Sequence, residues 1–283
     1  MAPPKLPRQV VQMLASPEMR EHHATWHLVR DRWHAMSQAE RQPFVDQHWA
    51  PPRLNPRRWP ADELPAPPRD PGSGLDFLFM HRRMIEHVDA LLAEIGDPDY
   101  PRITGWDPIP WDHDDPDWPM PPNYPDGPPQ PKDPAVTTRW RNEVAQKYEN
   151  DAWLEAVTLD DLGAEIENGI HNWMHMHWAS DPWFKDLQGQ DENDPRNDYL
   201  GSTYSSHVNE TFWKLHGWID DRIGQWERAT GERADFSDSW EGPSHSDHMA
   251  ATVSLARERP LLSAEQRAQS RRFFLNRLVG DER

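Results

Sequence analysis

The chain has 283 residues, a formal net charge of -18, 30 Pro and 16 Trp, and only 36% hydrophobic residues. That length can bury a sizeable core in one large domain or two small ones, while the acidic balance argues against nucleic acid and against an anionic membrane surface, both of which call for basic surface. The absence of Cys excludes disulfides, thiolate metal sites and thiol nucleophiles together.

The opening residues, Met1 to Pro7, lack the charged-then-apolar order of a secretory leader, and no apolar run approaches membrane-spanning length, so a cytoplasmic protein is expected. Gln9 to about Gln47 reads as helical, broken before Pro17 and at Pro43, with Ser37-Gln-Ala-Glu40 as a capping box that starts a new helix. Residues 49–74 form a Pro-rich connection with many Arg. Leu75 to Ile95 follows the 3.6 period through Leu75, Leu78, Phe79, Ile85, Val88, Leu91 and Leu92, and Gly96 ends it. Residues 97–136 are dominated by Pro, Asp and Trp; the aromatic rings of Tyr100, Trp106, Trp111, Trp118 and Tyr124 predict a packed, ordered loop.

Thr137 to Val157 reads as helix, and so does Asp160 to about Ala179. An acidic loop with Pro182 and Pro195 follows, then a helix from Val208 to Arg228. Ser263-Ala-Glu-Gln266 caps a last amphipathic helix that runs to Gly280. Strand signals are nearly absent, and neither an internal repeat nor a two-domain split is visible. The expected fold is mainly α, with a four-helix-bundle core and long Pro/Trp-rich loops, in a single domain over residues 1–283.

Two segments carry the chemistry. His171 and His175 are four residues apart, so on a helix they stack on one face and can hold one metal ion between them. His216, on a second helix, would complete a three-nitrogen site with an open position, a donor set suited to copper, zinc or iron. By spacing alone such a pair is more often a solvated face or a satisfied core pair. The neighbours favour metal: Asn172 offers a polar partner behind the ligands, and Glu167, one turn before His171, is placed to position a metal-bound water. Asp220, one turn beyond His216, is a structural partner.

These residues resemble the second copper-binding half of the tyrosinase, catechol oxidase and hemocyanin family. Ile166-Glu-Asn-Gly-Ile-His-Asn-Trp-Met-His175 matches the family's Glu-x-x-x-His-Asn pattern with its second His, and Thr211-Phe-Trp-Lys-Leu-His-Gly-Trp-Ile-Asp220, with Trp226 beyond, matches its Phe-Trp-Leu-His-His-x-x-x-Asp segment. The resemblance puts copper ligands at His171, His175 and His216, and gives Glu167 with Asn172 the holding of a water that deprotonates a phenol. It also sets Phe212 against a ligand ring and Met176 at the substrate entrance. The likeness of the first half is fainter. Asp76-Phe-Leu-Phe-Met-His-Arg-Arg-Met-Ile-Glu-His-Val-Asp89 is similar to the family's Phe-x-x-Trp-His-Arg helix, which makes His81 a ligand and Asp89 its downstream carboxylate. Residues from Phe44 to His48 would then supply the earliest ligand, His48.

Two departures set the questions for the structure. Gly72 occupies the position of a family ligand, and no His lies between Trp49 and Met80, so a complete first site must borrow an imidazole from His23, His27, His34 or His87. His23 and His27 are four apart, a chelating spacing; the competing expectation is that His22, His23, His27 and His34 decorate an exposed helix. Gly217 stands where the family usually has another His, and a wider pocket is expected there.

The first metal half is therefore expected over about residues 20–95 and the second over about 160–230. The resemblance implies a copper-dependent oxidase or monooxygenase acting with O2 on a phenol, o-aminophenol or related aromatic in specialised metabolism. Two ions are expected if the first site is complete and one otherwise. The alternatives are an oxidase or cyclase with a single metal ion and an atypical first site, and a non-catalytic accessory protein whose histidines are packed remnants.

Overall fold

In a computed structural model, the described residues are 5–55, 68–111, 115, 134–177, 191–240, 242, 243 and 262, with the side chains of residues 134, 136, 176 and 177 set aside. Among them the fold is mainly α and contains no strand. The helix expected over 263–280, most of the loop beyond residue 111, and His245 and His248 lie outside the described residues.

The N-terminal helical stretch divides before Pro17 and restarts at the Ser37 capping box, as those signals predict. Helix α1 (Arg8–Leu14) stops before Ser16, whose side chain caps α2 (Pro17–Arg32) by accepting from the Met19 amide. The Ser37–Glu40 capping box opens α3 (Gln38–Val45), with the Ser37 amide 2.7 Å from Glu40 Oε2. The break expected at Pro43 does not occur; Pro43 lies inside α3. The helix ends two residues later, so the amide that Pro43 lacks costs a single bond in an already short segment.

Helix α2 is the unexpected element. Every residue from Met19 to His27 is buried, including Arg20, Glu21, His22, His23, Thr25 and His27, and Arg30 is buried beyond them. A polar helix buried on all sides must satisfy its polar groups internally or hold a ligand. Arg20 does the former. Its guanidinium donates to the carbonyls of Ala15, Tyr204 and Asp194, and burial pulls its pKa down to about 10. This ties the α1–α2 corner to the segment 191–209.

Helix α4 (Ser73–Ile95) is the long amphipathic helix that its period predicts, closed by Gly96. It crosses the helix α7 (Leu159–Ile166) through two glycines. A Cβ on Gly74 would strike the Asp160 carbonyl and the Ala164 nitrogen, and one on Gly163 would strike the Gly74 carbonyl. Asp160 strengthens the crossing by accepting from the Gly74 amide at 2.8 Å and from Arg69 at 2.6 Å.

The single helix expected over 137–157 is two: α5 (Pro134–Gln146) and a short α6 (Asp151–Leu154), begun anew by Asn150, whose side chain accepts from the Trp153 amide. The helix expected over 160–179 is α7 and α8 (Asn172–His177), joined by a widened turn, Glu167–His171, with Gly169 at non-helical φ/ψ of -100° and -112°. Helix α9 (Glu210–Thr230) is capped by Asn209. No helix among the described residues is long and apolar enough to cross a membrane.

The candidate metal centre

Four helical segments send imidazoles to one place: α2 with His23 and His27, α4 with His81, the α7–α8 turn and α8 with His171 and His175, and α9 with His216. All six are buried. Nitrogens of His23, His27 and His81 lie within 4.8 Å of one another, and so do nitrogens of His81, His171 and His216. His81 therefore belongs to both groups. It stacks on His216 at a ring separation of 4.4 Å, while His175 sits 4.5 Å from His171 and 5.5 Å from His216.

The hydrogen bonds behind the rings explain how the nitrogens are aimed. His81 Nδ1 meets the Phe77 carbonyl at 2.8 Å, His216 Nδ1 the Phe212 carbonyl at 2.7 Å, His23 Nδ1 the Thr203 carbonyl at 2.6 Å and His175 Nδ1 the Leu200 carbonyl at 3.3 Å. A carbonyl only accepts, so each Nδ1 carries the proton and each Nε2 presents a lone pair. On His81 and His216 the carbonyl is one helical turn back, so the helix itself fixes the tautomer. The Nε2 atoms of His23 and His81 and the Nδ1 of His171 are buried with no hydrogen-bond partner among the described residues. The facing Nε2 atoms of His171 and His216 are 3.3 Å apart. Two nitrogens each about 2.0–2.1 Å from one ion at a tetrahedral angle would be separated by roughly 3.3–3.4 Å, so this spacing fits a shared metal.

Burial disfavours the charged form of four of the rings. Burial holds His81, His171 and His216 well below the ordinary histidine pKa, and it pushes His23 down to about 4 against the opposing bond from Thr203. Neutral imidazoles are the form that ligates. The walls are apolar. Phe212 stacks on His216 at 3.7 Å and stands edge-on to His23 at 5.4 Å, so one ring touches both groups. Phe77 packs on His81 and His171, and Trp26 on His27 and His81.

The structure relocates several expected site residues. Glu167 is buried, with its carboxylate gripped by both Arg30 terminal nitrogens, one of them at 2.9 Å, and by Asn55 Nδ2 at 2.5 Å. Asn172 is buried beside His171. His48 is exposed in the turn after α3, outside both histidine groups, and His34 is exposed with Nε2 3.3 Å from the Pro52 carbonyl. His87 is half-buried on α4, also outside both groups.

Gly217 lies against backbone among the described residues, where a wider pocket was expected. A Cβ there would lie 2.5 Å from the Gly105 nitrogen, because α9 packs directly on the backbone of Thr104 and Gly105. Asp220 accepts from Arg82 Nε at 2.7 Å and Asp89 from the Ile103 amide at 2.6 Å, so both brace the frame. The Met176 side chain lies outside the described residues. A cleft of about 700 Å³ lined by Arg69, Trp140, Asn168 and Gly169 opens on another side of the α7 kink, and none of the six histidines lines it.

Sequence reasoning missed His207 altogether. It is fully buried, 3.1 Å from His23 Nδ1, and its place just ahead of α9 carries no helical spacing that would single it out. No family model and no curated protein sequence matches the chain.

Proposed function

We propose that the buried histidines form a copper centre and that the protein is a copper-dependent oxidase or monooxygenase acting with O2 on a phenol, o-aminophenol or related aromatic. One observation carries this reading: six buried imidazoles from four helical segments converge, and four of them have Nδ1 tied back to a main-chain carbonyl so that Nε2 faces inward. His23, His27 and His81 would hold one ion and His171, His175 and His216 the other. The convergence of His23 and His27 from α2 on His81 supports borrowing the imidazole that Gly72 cannot supply from α2.

Copper, when bound, supplies the reactivity toward O2; the chain supplies ligands, a dry chamber and control of protons. Phe77, Phe212 and Trp26 keep water from the rings. Both Glu167 oxygens are already engaged by Arg30 and Asn55, so the side chain is not free to act as a base toward a substrate. That pairing favours a substrate that is oxidised without a strong base, an o-diphenol or o-aminophenol, over hydroxylation of a simple phenol.

The test is copper reconstitution followed by O2 uptake with catechol, 2-aminophenol and phenol. Uptake with the first two, lost in His171→Ala, supports the reading; protein that takes up no copper, or a His171→Ala variant indistinguishable from the parent, overturns it. A second reading has its own support. His81 belongs to both nitrogen groups, so a single ion held by His81, His171 and His216 would leave His23 and His27 outside the metal. One metal per chain, unchanged in His23→Ala, would select it.

A further inference from the structure

We infer that His207 is a positioning residue that, together with the Thr203 carbonyl, holds the Nδ1–H tautomer and the orientation of His23 and thereby completes the first metal position; this rests on the reading that His23 is a ligand. His207 and His23 are separated by 184 residues in sequence and meet only because segment 191–209 folds over α2. His207 Nε2 lies 3.1 Å from the Leu14 carbonyl, and its Nδ1 lies 3.1 Å from His23 Nδ1. The same His23 Nδ1 is 2.6 Å from the Thr203 carbonyl.

Only one proton arrangement satisfies all three contacts with neutral rings. The Leu14 carbonyl can only accept, so the single N–H of His207 is on Nε2 and its Nδ1 is a bare lone pair. The Thr203 carbonyl can only accept, so the proton of His23 is on Nδ1, shared between that carbonyl and His207 Nδ1. His23 Nε2 is then left as a lone pair, and it is the buried atom with no hydrogen-bond partner among the described residues, in the group with His27 and His81. The chain Leu14, His207, His23 thus hands a defined ligand atom to the metal position.

Two further bonds hold His207 in place. Its carbonyl accepts from Trp213 Nε1 at 2.8 Å on α9, and Arg20 anchors the same segment through the Tyr204 carbonyl. His207 is therefore braced by α1, α2 and α9 at once. A partner of this kind acts on ligand basicity and ring orientation, and its loss typically weakens metal binding ~10–100-fold.

The experiment compares copper binding by the full-length parent and three variants through competitive titration, metal counting and the cupric EPR signal. His207→Asn keeps an acceptor at the position of Nδ1; His207→Gln places its polar group toward Leu14 instead; His207→Phe keeps the ring volume without either nitrogen. The expected result is near-parental binding of two ions in His207→Asn, with weakening by ~10–100-fold at one of the two positions in His207→Gln and His207→Phe. In those two variants an EPR signal from an uncoupled single ion should appear. Parental affinity at both positions in His207→Gln overturns the inference. So does equal loss in His207→Asn and His207→Gln when both retain the parental melting temperature. If His207→Phe fails to fold, the Asn–Gln pair decides. A parent that binds no copper fails the functional reading first, which separates the two.

Discussion

At the residue scale, burial of charge and of polar atoms governs the outcome, and the Arg30–Glu167 pair shows it most clearly. Both side chains are almost fully buried and bind each other through two nitrogens and two oxygens. Arg30→Met should destabilise the protein by about 3–5 kcal/mol, because it strands a buried carboxylate, whereas the double change with Glu167→Leu should recover most of that loss. Urea unfolding of the two variants checks it; equal stability of both would contradict the pairing. Gly217→His, which installs the family's usual residue, should cost at least about 1–3 kcal/mol by forcing α9 off the Thr104–Gly105 backbone. Thermal melting reads that directly. The meeting of His171, His175 and His216 was legible because it follows from the spacing of the first two and from a local motif around the third. His207 was not, nor was the true setting of Gly217, since each is defined by a chain crossing that leaves no periodic trace.

At the scale of elements, the site depends on how closely α4 and α7 approach. Gly74 and Gly163 let the two backbones touch, and this contact fixes His81 relative to His171, whose rings are 5.5 Å apart. Gly163→Val should therefore lower the melting temperature and weaken copper binding together. A variant that melts lower yet binds copper with parental affinity would show that the crossing does not set the site. Periodicity found α4 because its apolar residues recur along one stripe. It could not foresee the burial of α2, whose buried surface mixes Met19, Ala24, Trp26 and Val29 with Arg, Glu, Thr and His and so shows no apolar stripe, leaving an exposed histidine helix as an equal alternative. It merged α5 with α6, and α7 with α8, because an Asn cap and a widened turn interrupt a helix without changing its composition. Such widened turns often mark functional sites, and here the turn carries His171.

At the scale of the whole molecule, a mainly α frame surrounds a buried cluster of histidines whose charged form burial disfavours, and acid is its natural weakness. The folded chain holds His23 at about 4 and His81, His171 and His216 below their ordinary value, so it binds fewer protons than the unfolded chain across that range. Stability is then fully present above the unfolded histidine pKa of about 6.5 and is lost progressively as pH falls toward about 4. Asp76 acts with the opposite sign: burial raises it to about 6, so its contribution is present in acid and fades as pH rises through that value. Four histidines outweigh one aspartate. The metal-free protein should melt at a clearly lower temperature at pH 4.5 than at pH 7, and a flat profile would contradict neutral buried rings.

Bound metal should add to this stability in proportion to the logarithm of its concentration over Kd. Metal counting tests the central claim most directly. Copper-reconstituted protein should hold two ions per chain, falling to one in His23→Ala and in His171→Ala. A parent that retains no copper after removal of excess metal, or a count untouched by both substitutions, would contradict it.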